Sequence, residues 1–162
     1  MKNGRNGLCQ PLTLNEIKGH VSAAVSTELK TKYRKQQPIF FRAVTESHEK
    51  NWEHLQPGDL GLFCQERNYW AVARIGYRPP VSLPNLDNYI FTANQNPSRD
   101  RFVLFCLFDC VCNIDVSDRD IHRAAGDKPK SILRGFRVIS HEESVARILE
   151  VLRAQKAKAA AR

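Results

Sequence analysis

Apolar residues recur at helical spacing near both ends of the chain and alternate with polar ones between them. Leu14, Ile17, Val21 and Ala24 fall three or four apart behind Thr13, and Glu16 stands three residues after that threonine. A hydroxyl answered by a carboxylate at that distance is a capping box, and it predicts a helix over 14–31. Val21, Val25 and Thr27 are β-branched and stiffen the stretch. Pro38 has no amide to offer a helix, and 39–44 reads as an apolar strand. Segment 45–58 is polar apart from Trp52 and Leu55. It closes on Leu-Gln-Pro-Gly-Asp, with proline and glycine where turn geometry wants them. Leu60, Leu62 and Cys64 alternate with Gly61 and Phe63 in a second strand. Glu66, Arg67 and Asn68 turn it into a third strand over 69–75, with Trp70, Val72 and Arg74 on one side and Tyr69, Ala71, Ala73 and Ile75 on the other.

Residues 76–101 contain Arg78-Pro79-Pro80 and Pro84 and read as a long irregular loop with a short strand near 89–93. Loops of that length are functional or mobile. The run 102–112 reads as a strand buried on both faces. Ser117 and Gly126 bracket a short helix, and 135–139 is a last short strand. Ser140 with Glu143 repeats the capping box, and behind it Val145, Ile148, Leu149 and Leu152 form the apolar stripe of a C-terminal helix that frays after Ala154. The elements add up to an α+β domain on a small, strongly curved β-sheet or barrel of five or six strands, with flanking helices near the N- and C-termini. A flexible arm over 1–11 precedes this single domain, 12–154, and a basic tail or linker start follows over 155–162.

Charge sharpens the picture. The chain has 162 residues, 42% of them hydrophobic, which suffices for one domain with a core of its own. No apolar run approaches the roughly 18 residues of a membrane span, and residues 1–10 hold no signal-peptide core, so a cytoplasmic protein without a membrane partner is expected. A formal net charge of +8 favours a polyanionic partner by long-range attraction and counterion release. Lys30, Lys32, Arg34 and Lys35 gather at the exit of the first helix, and Arg78, Arg99 and Arg101 follow on the long loop. These are the candidate phosphate contacts. Five cysteines without an export signal are expected to be reduced. Cys106, Cys110 and Cys112 share one parity and read as buried thiols along one strand face. No second cysteine pair completes a zinc knuckle, so neither metal nor cofactor is expected.

Catalytic motifs are missing: there is no G-x-S-x-G elbow, Walker loop, H-E-x-x-H pair or Rossmann glycine pattern. Aromatic residues are better placed. Trp52, Tyr69, Trp70, Tyr77, Tyr89 and Phe91 lie on or beside loops of a basic chain, and stacking on a splayed base is worth roughly 1–3 kcal/mol. A pocket for one extruded base needs such walls and a few polar atoms for the base edge. Ser47, His48, Asn51 and Gln65 can supply those atoms, and Cys64 adjoins them. A small hydrolase or transferase using His48 and Cys64 is a competing reading; the chain is otherwise expected to be a binding module and not an enzyme.

Residues 38–76 resemble the PUA-like superfamily, in particular its EVE and YTH branches. The likeness lies in the chain running from a strand to Ser47, the loop with Trp52, and Gly-Leu-Phe-Cys-Gln-Glu-Arg-Asn-Tyr-Trp-Ala-Val-Ala-Arg-Ile, whose last five residues match a small-residue-rich strand of those families. Leu-Gln-Pro-Gly-Asp is similar to their Gly-Asp turn, and Gly-Phe-Arg-Val-Ile-Ser with the helix behind it resembles EVE-type termini. The resemblance covers 38–76 and 134–152. It implies a curved sheet with helices packed on it and an aromatic cage for a modified base, in which Ser47 matches the base-contacting serine and Trp52 the cage tryptophan. The second cage tryptophan of the YTH branch has no counterpart in Leu104-Phe105-Cys106-Leu107-Phe108. The resemblance further implies the specificity module of a modification-dependent restriction system of the McrB type. Methylated DNA would be its ligand, and a nuclease or AAA+ motor would be its partner. An RNA-binding PUA-like module is the alternative.

Overall fold

Alternating runs in the middle of the chain become strands: β1 (Cys9–Leu12), β2 (Ile39–Val44), β3 (Leu60–Gln65), β4 (Asn68–Tyr77) and β5 (Leu104–Ser117). In the computed structural model, which describes residues 9–91, 104–128 and 138–160, they form one antiparallel sheet in the order β1-β2-β5-β4-β3. The α+β class is as expected, and the sheet is open, with β1 and β3 at its edges. β1 takes in part of the stretch whose composition suggests a flexible arm. Among the described residues no helix is long and apolar enough to cross a membrane.

The N-terminal helix is two helices, not one over 14–31. The expected capping box is present, with Thr13 N–H donating to Glu16 Oε2 at 2.7 Å and Glu16 N–H to Thr13 Oγ1 at 3.4 Å. It opens α1 (Leu14–Ile17), which tightens into a 3₁₀ turn and ends where Val21 is extended. Ser22 then caps α2 (Ala23–Lys32), its Oγ accepting from Val25 N–H at 3.3 Å. A second capping side chain beside Gly19 and β-branched Val21 makes two short helices cheaper than one.

Two more expectations change. The polar segment after β2 folds into a 3₁₀ turn, Glu46–His48, and α3 (Glu49–Glu53). The strand expected near 89–93 is α4 (Pro84–Phe91), which starts on proline, as first helical turns tolerate, and whose Leu86 and Ile90 are buried. Residues 92 and 93 lie outside the described residues, as do 135–137 of the last expected strand; Val138 and Ile139 are not in a strand.

Bulges decide which way side chains point. Phe63 pairs with Ala71 but Cys64 with Tyr69, so Trp70 is an extra residue in β4. The side assignment of the third strand therefore fails at its start: Trp70 packs in one cluster with Ala71, Ala73 and Phe63, while Tyr69 joins another. Farther along, Arg74 pairs with Cys110, Ile75 with Phe108 and Tyr77 with Leu107. This leaves Asp109 and Gly76 as facing extra residues. A Cβ on Gly76 would collide with the Asp109 carboxylate, which is why glycine stands there. The bulge also breaks the single parity expected of the cysteines. Cys106 is buried with Phe108, whereas Cys110 and Cys112 are exposed on the opposite face.

That opposite face carries helices at both ends. Phe41, Tyr77, Phe105 and Leu107 pack with Leu14, Ile17, Leu29 and Leu86. Tyr69 and Val116 pack with Ile121 of α5 (Asp118–Ala125) and Ile148 of α6 (Glu142–Ala160). Ser117 caps α5 and Gly126 ends it at φ 79°, both as expected. The apolar stripe of α6 is rotated from the expected one: Ser144 and Ile148 are buried, and Val145 is exposed. Ser144 and Arg147 donate to the carbonyls of Ala125 and Ala124, satisfying the end of α5. The helix continues past Ala154 to residue 160.

Candidate functional site

Leu29 and Tyr33 anchor the last turn of α2 in the core, and the chain leaves it through a fixed corner. Arg34 N–H donates to Gln37 Oε1 at 3.2 Å and Gln37 N–H to Arg34 O at 3.0 Å. Lys30, Lys32, Arg34 and Lys35 are all exposed there. Lys32 reaches back to Gly76 O at 3.4 Å and lies 5.9 Å from the Tyr77 ring. The side chains of Lys30, Arg34 and Lys35 have no ion pair among the described residues. The four cations expected to contact phosphate thus share one rigid, solvent-facing corner.

Arg78 is not among them. Its Nε donates to Leu55 O at 2.9 Å, and its guanidinium lies 4.6 Å from the centroid of the Trp52 ring. It is committed to holding the chain between α3 and β3. Arg99 and Arg101 lie outside the described residues.

The expected base pocket is not assembled as a unit. Trp52 is 3% exposed, and its indole N–H donates to Phe105 O at 3.0 Å. Capped by Arg78 and bonded from below, its ring is a core pin, not a free stacking wall. The reason is local: α3 gives the polar segment an inward face, which Trp52 and Leu55 occupy. Ser47 is exposed, with its Oγ 2.7 Å from Thr45 Oγ1. His48 and Asn51 are half-buried and each has an interaction partner. This group stands at the end of β2, where Val44 pairs with Leu104. Trp70 stands near the opposite end of β5, flanked by residues paired with Asn113 and Val116. Gln65, paired with Asn68, is at that end too. Cys64 and Tyr69 face the α5–α6 side, Tyr69 fully buried. Burial, with Asp118 nearby, pushes the Cys64 thiol up from its ordinary value, so it is poorly suited as a nucleophile.

Trp70 is half-buried, 6.3 Å from Phe63 between ring centroids, and its buried indole N–H has no acceptor among the described residues. An orphaned buried donor costs about 1–3 kcal/mol. Phe63 also meets Phe108 edge-on at 5.5 Å.

Alternation alone missed the strip between the two helical packings. Two rungs of the sheet are open there: Leu60, Arg74 and Cys110, then Leu62, Val72 and Cys112. Arg74 pairs with Asp109 at 3.5 Å, and the Cys110 and Cys112 sulfurs lie 3.6 Å apart. The hydrogen bond with Cys112 holds the Cys110 thiol up. The buried Tyr33 hydroxyl, beside the Asp109 carboxylate, is likewise held above the ordinary tyrosine range by burial and by that charge. The sequence signal was Asp109, a charge interrupting an apolar run where a bulge restarts the alternation. Comparisons with family models, with curated proteins and with solved structures give no match to this chain.

Proposed function

We propose that this chain is a nucleic-acid-binding module with a PUA/EVE-like curved sheet, which reads a modified base in DNA as the specificity element of a modification-dependent restriction system. The exit of α2 carries the reading. Four exposed cations sit on a corner braced by its own hydrogen bonds, in a chain of net charge +8. A braced corner holds a phosphate backbone in one orientation, and phosphate contacts set register while other groups read the base. Of the expected pocket rings Trp52, Tyr69 and Trp70, Trp70 is the one left for stacking; it lies on the other face of the sheet from the α2 corner, and Gln65, at the same end of β5, is its polar companion. Trp52 acts beneath the surface, holding the segment with Ser47, His48 and Asn51 in place. Any nuclease or motor step belongs to another domain or subunit.

Anisotropy titrations with duplexes carrying one methylated base, plain duplexes and structured RNA at matched salt test this reading. Methylated duplex is expected to bind tighter by about 5-fold or more, the worth of one stacking contact. Trp70→Ala is expected to abolish that preference while leaving plain-duplex binding unchanged. Equal affinity for methylated and plain duplex overturns base reading, and tighter binding of RNA overturns the choice of DNA.

A further inference from the structure

Cys110 and Cys112 form an exposed dithiol that the sheet holds ready. They are two residues apart on one strand, so both side chains leave the same face, and the bulge at Asp109 makes that face the open strip. Their sulfurs are 3.6 Å apart. Two thiolates at about 2.3 Å from one ion and 3.6 Å from each other subtend an angle of about 100° at it, close to tetrahedral. Disulfide closure is less well served. Alternate residues of an extended strand are about 6.6–6.8 Å apart at Cα, the outer limit of disulfide geometry. The pair is therefore a better chelate than a cross-link.

We propose that Cys110 and Cys112 bind a thiophilic d¹⁰ cation of the zinc group as a bidentate dithiolate. On binding, each thiol releases its proton and forms one sulfur–metal bond, with no change in oxidation state. The pair supplies two of the four positions of a tetrahedral ion, and among the described residues no group of three or more His, Cys, Asp or Glu could hold one. Arg74, opposite Cys110 in the ladder, brings a cation near the pair that it shares with the Asp109 carboxylate at 3.5 Å. The site stands on its own geometry and is independent of nucleic-acid binding.

Cadmium(II) alone is the probe, added to the reduced full chain and followed by its ultraviolet sulfur-to-cadmium charge-transfer band. One equivalent is expected to bind and to raise the thermal midpoint. Cys110→Ser and Cys112→Ser are each expected to weaken binding by about 100-fold or more, because the second ligand acts at high effective concentration. Cys64→Ser is expected to leave the titration unchanged. Both tested side chains are exposed, and circular dichroism of each variant confirms that the fold is kept. A band that survives in the double variant, or wild-type binding no tighter than that of Cys110→Ser, overturns the proposal.

Discussion

Two tryptophans that look alike in the sequence do different work. Trp52 loses a hydrogen bond to Phe105, a cation stacked on its face and nearly all of its burial if it is truncated. Trp52→Ala is therefore expected to destabilise the fold by about 3–5 kcal/mol, the usual cost of removing a buried large ring; urea unfolding measures it, and a loss below about 1 kcal/mol contradicts the packing described. What the sequence could show was a lone large ring in a polar stretch. It could not show that five residues of that stretch become a helix turned inward, because one apolar pair is too short a pattern to register as periodicity. Trp70 was legible as a strand residue, but its direction was not, because one extra residue in β4 sends it to the side of Ala71.

At the scale of elements, the legible features were those with local chemistry. The Thr13 and Ser117 caps, the Gly126 stop and the β3–β4 hairpin all rest on residues within a few positions of one another. The facing bulges at Gly76 and Asp109 depend on two strands meeting, which alternation along one strand does not encode. Their consequence is measurable in the thiols. Burial pushes the Cys106 thiol up to about 12, so at pH 8 it stays protonated and unreactive. Iodoacetamide is expected to modify Cys110 and Cys112 in the native protein and Cys106 only after unfolding, as read by peptide mass; native labelling of Cys106 at a comparable rate contradicts the register. The same burial has a sign in stability. The unfolded thiol ionises from about pH 9 while the folded one stays neutral, so the contribution of Cys106 is complete below pH 9 and is lost as pH rises towards 12.

For the whole molecule, the net charge of +8 was plain from composition, but its arrangement was not. Arg78, counted with the other cations, is spent on holding Leu55 and Trp52, whereas Lys30, Arg34 and Lys35 remain free of ion pairs among the described residues. Binding to nucleic acid through this corner releases counterions, and each phosphate neutralised adds about 0.9 to the dependence of log affinity on log salt. The most direct measurement is that salt dependence for the wild type and for the variant Lys30→Ala/Arg34→Ala/Lys35→Ala on one duplex. The slope is expected to be shallower by about 2 to 3 in the variant, with unchanged thermal stability. An unchanged slope in a folded variant would contradict it.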